Sequence, residues 1–305
     1  MLIIEKMLIF LILMLVGLLL AKLRILDEHA SKKLSAIVLY VAGPALIINS
    51  SQTETIIPGA ELLMTVGIAV AMYAVLIAIA AVLPKLMRLK KDQESAYAMM
   101  TVFSNIGFLG IPLINEILGS QALLYVSVFI IIFNILIYTY GMVIIQRGAA
   151  GPSHSGSSLR KLINPGVLSG IIAVTFYLLG VKLPEIITAP LDYLSDLTAP
   201  LGMIIIGAAL AHVQIRSFFT DYKLLIFSVI KLLMIPIALC LLLKLMIGGG
   251  DLLGVCVVMI STPVASMTVM MAQQYGGEYT LLSRGVTLTT ILCIATIPIV
   301  FAVLL

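Results

Sequence analysis

Long uncharged apolar stretches follow one another along the chain, separated by short connections that hold most of the charge. With Pro, Gly and charge clusters as punctuation, the stretches run over roughly 7–23, 34–51, 62–83, 95–117, 121–146, 162–181, 189–211, 222–246, 252–274 and 280–304. Each approaches the ~20 residues that a helix needs to cross a bilayer. They are continuously apolar and do not alternate, which predicts helices and not barrel strands. The pattern therefore predicts an all-α integral membrane protein with ten transmembrane helices. The first stretch should persist as a helix, because Glu5 and Lys6 give no positive leader region and no small-residue cleavage site follows.

Composition removes competing classes. Of 305 residues, 62% are hydrophobic and 10% charged, against about 25% charged in a soluble domain. The mean hydropathy of +1.21 leaves no room for a sizeable domain outside the bilayer. The net charge of +4 is scattered over connections, so a nucleic-acid partner is excluded. Cys240, Cys256 and Cys293 lie in apolar runs and read as small hydrophobes. His29, His154 and His212 show no metal-ligand spacing, so neither a metal nor a cofactor is expected.

The charge instead predicts orientation. Fourteen of the eighteen Lys and Arg residues fall in the connections after spans one, three, five, seven and nine. Lys6, Lys182 and Lys244 fall on the opposite side. The positive-inside rule makes the first side cytoplasmic and puts both termini outside the cytoplasm, in a multi-pass cell-membrane protein. A Gly/Ser-rich linker over 148–160 would be cytoplasmic and would divide the chain into units 1–147 and 161–305 of five spans each.

The two units resemble each other. A shift of about 156 residues places Pro44 on Pro200, and a shift of 157 places Ser104-Asn105 on Ser261-Thr262. Five is odd, so the second unit enters from the opposite side, as a 5+5 inverted repeat of the kind secondary transporters use. Spans four and nine each hold a polar, breaker-rich island: Ser104, Asn105, Gly107, Gly110 and Pro112 in one, Thr262, Pro263, Ser266 and Thr268 in the other. Pro removes a backbone donor and Gly relaxes a helix, so Pro112 and Pro263 are expected to interrupt these spans, with Pro44 and Pro200 as further breaks. Two interrupted helices in corresponding positions point to a substrate site at mid-membrane. Exposed helix amino ends there would favour an anion such as a carboxylate.

Other candidates have competing readings. Lys231 is the only charge well inside a span, either an anion attractor or coupling group, or a side chain that snorkels to the interface. Glu116, one turn beyond Pro112, is either a gate or a solvated interfacial carboxylate. Thr262, Ser266 and Thr268 could line the site, although membrane Ser and Thr more often bond their own backbone. Asp192 and Asp196 form a D-x-x-x-D pair that raises a Mg-dependent prenyltransferase as an alternative, and a hydrated helix start as the plainer reading. An anion channel is the other alternative.

Ser104-Asn105 with Gly110-Ile111-Pro112-Leu113, then Asn164-Pro165, Ala199-Pro200-Leu201 with Ile206-Gly207-Ala208, and Thr262-Pro263 through Ala272-Gln273-Gln274-Tyr275 recur in one order along the whole chain. In this the chain resembles the auxin efflux carrier family of membrane transporters, which includes plant PIN carriers and bacterial carriers of malonate and other organic anions. The resemblance implies that spans four and nine cross as broken helices, with a substrate carboxylate near Asn105. It further implies a scaffold of spans one, two, six and seven, elevator-like movement of the crossing bundle, and homodimerisation through the scaffold. The related bile acid sodium symporters use an acidic residue of span nine, which has no counterpart between Asp251 and Glu278. Sodium coupling is therefore disfavoured, and proton coupling or uniport stay open.

Overall fold

The computed structural model describes residues 2–52, 58–147, 165–211, 221–275 and 277–304; the linker expected over 148–160 lies outside them. Helix α1 is Leu2–Lys22, α2 runs over 28–50 and α3 is Gly59–Leu86. Helices α4, Lys91–Val102, and α5, Ile106–Leu118, flank a non-helical gap at 103–105. Then come α6 (Ser120–Arg147), α7 (Pro165–Leu179), α8 (Glu185–Asp196), α9 (Thr198–Leu210) and α10 (Tyr222–Ile247). Helices α11, Asp251–Ser261, and α12, Ser266–Tyr275, flank a second gap at 262–265, and α13 is Tyr279–Leu304.

Among the described residues six helical runs, with α8 and α9 taken as one, are long and apolar enough to cross a membrane. The chain is thus an all-α, multi-pass membrane protein. Large apolar side chains such as Ile12 and Leu19 on α1, Leu63 and Val82 on α3, and Leu242 and Leu245 on α10 face outward, as lipid contact requires. Several buried hydroxyls turn back on their own helices: Thr65 donates to the Glu61 carbonyl, Ser127 to that of Leu123 and Ser228 to that of Leu224. This satisfies them without a partner helix.

Helices α1 and α9 pack with their backbones nearly touching. A Cβ at Gly17 would overlap the Ile204 carbonyl, and one at Gly207 would overlap the Met14 carbonyl. Hydrocarbon is as apolar as a leucine side chain, so helices gain association from close van der Waals contact at small residues.

Prolines act more gently than the sequence predicts. Gly43, Ile111 and Ile235, each just before a proline, donate to Val38, Ile106 and Ile230, five residues back. The proline ring excludes the carbonyl four residues back, and one widened π-type turn absorbs the misfit while the helix continues. Pro44 and Pro112 therefore widen α2 and α5 without breaking them. The interruption in span four lies earlier, at 103–105. Pro200 sits in the first turn of α9, just past a break at Leu197 that divides the run expected over 189–211. Pro263 lies inside its gap, as expected.

The α1–α9 contact gives a stability test. Gly207→Ala should destabilise by about 1–3 kcal/mol through overpacking, read as a lower melting temperature in detergent. Gly67→Ala on α3, where a Cβ meets nothing within 4 Å, should melt no lower than the parent protein.

Candidate functional site

The two gaps meet. Ser104 and Val264 form an isolated antiparallel bridge. The Asn105 amide donates to the Pro263 carbonyl at 2.7 Å, and the Ala265 amide donates to the Phe103 carbonyl at 2.9 Å. Val264 donates sideways to the Thr289 hydroxyl oxygen at 3.1 Å, and that hydroxyl donates to the Gly285 carbonyl at 2.7 Å. Phe103 and Thr262 have extended backbones, with ψ of 105° and 150°, so each helix ends by turning its chain toward the other gap. The structure pairs Ser104 with Val264, three positions beyond the Ser261 that the best sequence shift aligns with it.

A cavity of about 340 Å³ opens beside this contact, within the size range of small-ligand sites. Ser104 and Asn105 line it from one gap and Ala265 from the other, with Gly107 of α5 and Ser266 of α12 beside them. Side chains of α2 and α6, among them Pro44, Phe133, Asn134 and Tyr138, join methionines of α12 and the start of α7 in the wall. Among the described residues no charged side chain lines it. Asn105 caps α5, its Oδ1 accepting from the Phe108 amide at 3.3 Å, which leaves its NH₂ group as a donor. The amino end of α5 adds a partial positive charge. Neutral donors on an apolar wall suit a small anion with an oxygen face.

The remaining candidates sit elsewhere. Thr262 is fully buried and donates to Met259 at 3.1 Å, and Thr268 likewise donates to Ala265 at 2.7 Å. Gly110 stands beside Thr262, where an added Cβ would come 3.7 Å from its Cγ2. Pro263 contributes its carbonyl to the gap contact, and Glu116 is half-buried in the last turns of α5, outside the cavity lining. Lys231 does not snorkel: it is fully buried and donates to the Thr101 carbonyl at 3.1 Å and to Ser104 Oγ at 2.7 Å. Asn134 and Thr289 escaped the sequence reading. Asn134 carried a signal, a lone amide in the apolar run of α6, whereas Thr289 looked like many other membrane threonines.

Comparison with known proteins agrees along nearly the full length. A family model described as "Membrane transport protein" matches residues 2–301. An uncharacterized transporter of Methanocaldococcus jannaschii is 26% identical over 300 residues, covering 94% of each chain. A Rhizobium meliloti protein named "Putative malonate transporter" is 25% identical over 277 residues, 87% of this chain and 84% of its own. An uncharacterized transporter of Methanothermobacter thermautotrophicus is 26% identical, with 97% and 96% covered.

Thr289 tests the gap geometry. Thr289→Val keeps the shape but leaves the buried Val264 amide without its acceptor, at an expected cost of about 1–3 kcal/mol. Thermal melting in detergent should register that loss. Thr287→Val, whose hydroxyl only returns to the Ser283 carbonyl of its own helix, should shift it far less.

Proposed function

The chain belongs to the membrane transport protein family, and from that premise we propose that it is a secondary carrier of small organic anions whose site is the cavity at the paired gaps. Its activity is transport and not catalysis. The prenyl-transfer role weighed for Asp192 and Asp196 falls away, and Asp192 accepts a hydrogen bond from Asn49.

The observation that carries the reading is one cavity bounded by both gaps. Binding there would engage both interrupted helices at once, which is how alternating-access carriers use discontinuous helices. Asn105 would hold the carboxylate through its NH₂ group, with Ser104 and the amino end of α5 beside it. Ser266 and Gly107 would shape the remainder of the site. Malonate in the name of the Rhizobium relative makes short dicarboxylates the first substrates to try.

The architecture we propose has ten spans, with α4–α5 and α11–α12 each one interrupted span and the two crossing at their gaps. Residues 1–147 and 161–305 would be inverted halves. The tight α1–α9 contact supports a rigid scaffold against which the crossing pair slides, in an elevator-like way. Orientation follows the basic face. Lys223 Nζ donates to the Arg88 carbonyl at 2.7 Å and Arg284 lies 3.6 Å from Asp221, so the connections after spans three, seven and nine gather together. On the opposite face Gln52 Oε1 accepts from the Leu183 amide at 2.8 Å, joining the connections after spans two and six.

Proteoliposomes should show saturable uptake and counterflow of labelled mono- or dicarboxylates, and Asn105→Ala should cut the rate at least tenfold. Wild-type rates in that variant for every active substrate would remove the site assignment, and unsaturable current would favour a channel. For orientation, Lys90→Cys should react with an impermeant thiol reagent only from the cytoplasmic side, and Gly249→Cys only from outside.

A further inference from the structure

Behind the cavity wall lies a cation with no counter-anion. Lys231 is wholly buried in the widened turn Ile230–Met234 of α10, and among the described residues no carboxylate stands within ion-pair distance of it. Taking an ammonium out of water costs several kcal/mol unless its surroundings compensate, and an intramembrane lysine normally escapes to the interface if it can. The bond to the Thr101 carbonyl offsets part of that cost, because this oxygen belongs to the last turn of α4, the negative end of the helix. The bond to Ser104 points to something else.

Ser104 differs from buried serines such as Ser127 and Ser228 in what its hydroxyl does. Ser127 and Ser228 donate their hydroxyl hydrogens to backbone carbonyls, but Ser104 Oγ accepts from the ammonium. Among the described residues its own hydrogen has no acceptor. Ser104 also lines the cavity, so an acceptor for that hydrogen can stand there. A hydroxyl that accepts from an ammonium is polarised and donates more strongly. Among the described residues no charged side chain belongs to the cavity lining itself, and beside the partial charge at the amino end of α5 an anion there would meet positive charge along the path from Lys231 through Ser104.

We infer that Lys231 is the countercharge of the anion site, acting through the Ser104 hydroxyl, and that this pair sets the preference for a carboxylate over an uncharged molecule of the same shape. The inference rests on the carrier reading above. It makes Lys231 a positioning and specificity-determining residue that never touches the substrate.

The test measures affinities of the full chain in lipid nanodiscs by calorimetry, for acetate, malonate and succinate, each against its amide. Wild type should prefer the acids. Lys231→Met and Ser104→Ala should each lower the acid-to-amide ratio at least tenfold, equivalent to about 1.4 kcal/mol. A ratio that stays at the wild-type value in the folded variants, including one where acid and amide weaken in proportion, overturns the inference and leaves the carrier reading standing. If Lys231→Met does not fold, Ser104→Ala decides alone, since it removes the relay and retains the lysine. A wild type that prefers none of the acids overturns both the anion-carrier reading and the inference built on it.

Discussion

Hydrocarbon offers no partner to a free peptide group, so a helix within a membrane can be interrupted only where protein or a water-filled cavity supplies the missing hydrogen bonds. Here each gap supplies them to the other: Asn105 to Pro263 and Ala265 to Phe103 across the bridge, with Thr289 holding the Val264 amide left over. The dependence is mutual. Neither gap would be tolerable without its counterpart, which explains why polar and breaker residues collect at two places in an otherwise apolar chain. Lys231 belongs to the same arrangement, since its ammonium occupies the Thr101 carbonyl that the end of α4 leaves open.

The interruption has a chemical consequence. Where a helix stops and another begins, donors that regular backbone pairing would absorb become available, and Asn105 and Ser104 stand at that boundary on the cavity wall. The surrounding structure is built differently. Glycines let α1 and α9 approach with backbones almost touching, and prolines at 44, 112 and 236 are accommodated by widened turns that preserve helix continuity. A stiff contact on one side and a polar seam between two interrupted helices on the other are the two parts that the proposed carrier mechanism requires.

Much of the helical layout was legible in the apolar pattern, because runs such as 62–83, 222–246 and 280–304 end where charge or glycine begins; the structure gives Gly59–Leu86, Tyr222–Ile247 and Tyr279–Leu304. The polar islands marked both gaps but misplaced one of them. Pro112 is the loudest breaker in its span, yet a π-type turn accommodates it, and the quieter Phe103-Ser104-Asn105 carries the interruption. Side-chain direction was harder to read. Whether Lys231 faced lipid, interface or core depended on the rotation of α10 about its axis, which an almost uniformly apolar helix does not encode. Thr262 and Ser266 lie four residues apart in one island, and only tertiary contact separates the hydroxyl that turns back on its helix from the residue that reaches the cavity.

The central claim is that a small anion binds where the two gaps meet. The most direct measurement is an electron cryomicroscopy map of the protein in lipid nanodiscs at saturating substrate, the anion being whichever one gives saturable uptake. The account predicts new density in the cavity within hydrogen-bond distance of Asn105 Nδ2 and Ser104 Oγ. Substrate density at any other place, with this cavity unchanged from the substrate-free map, would contradict it.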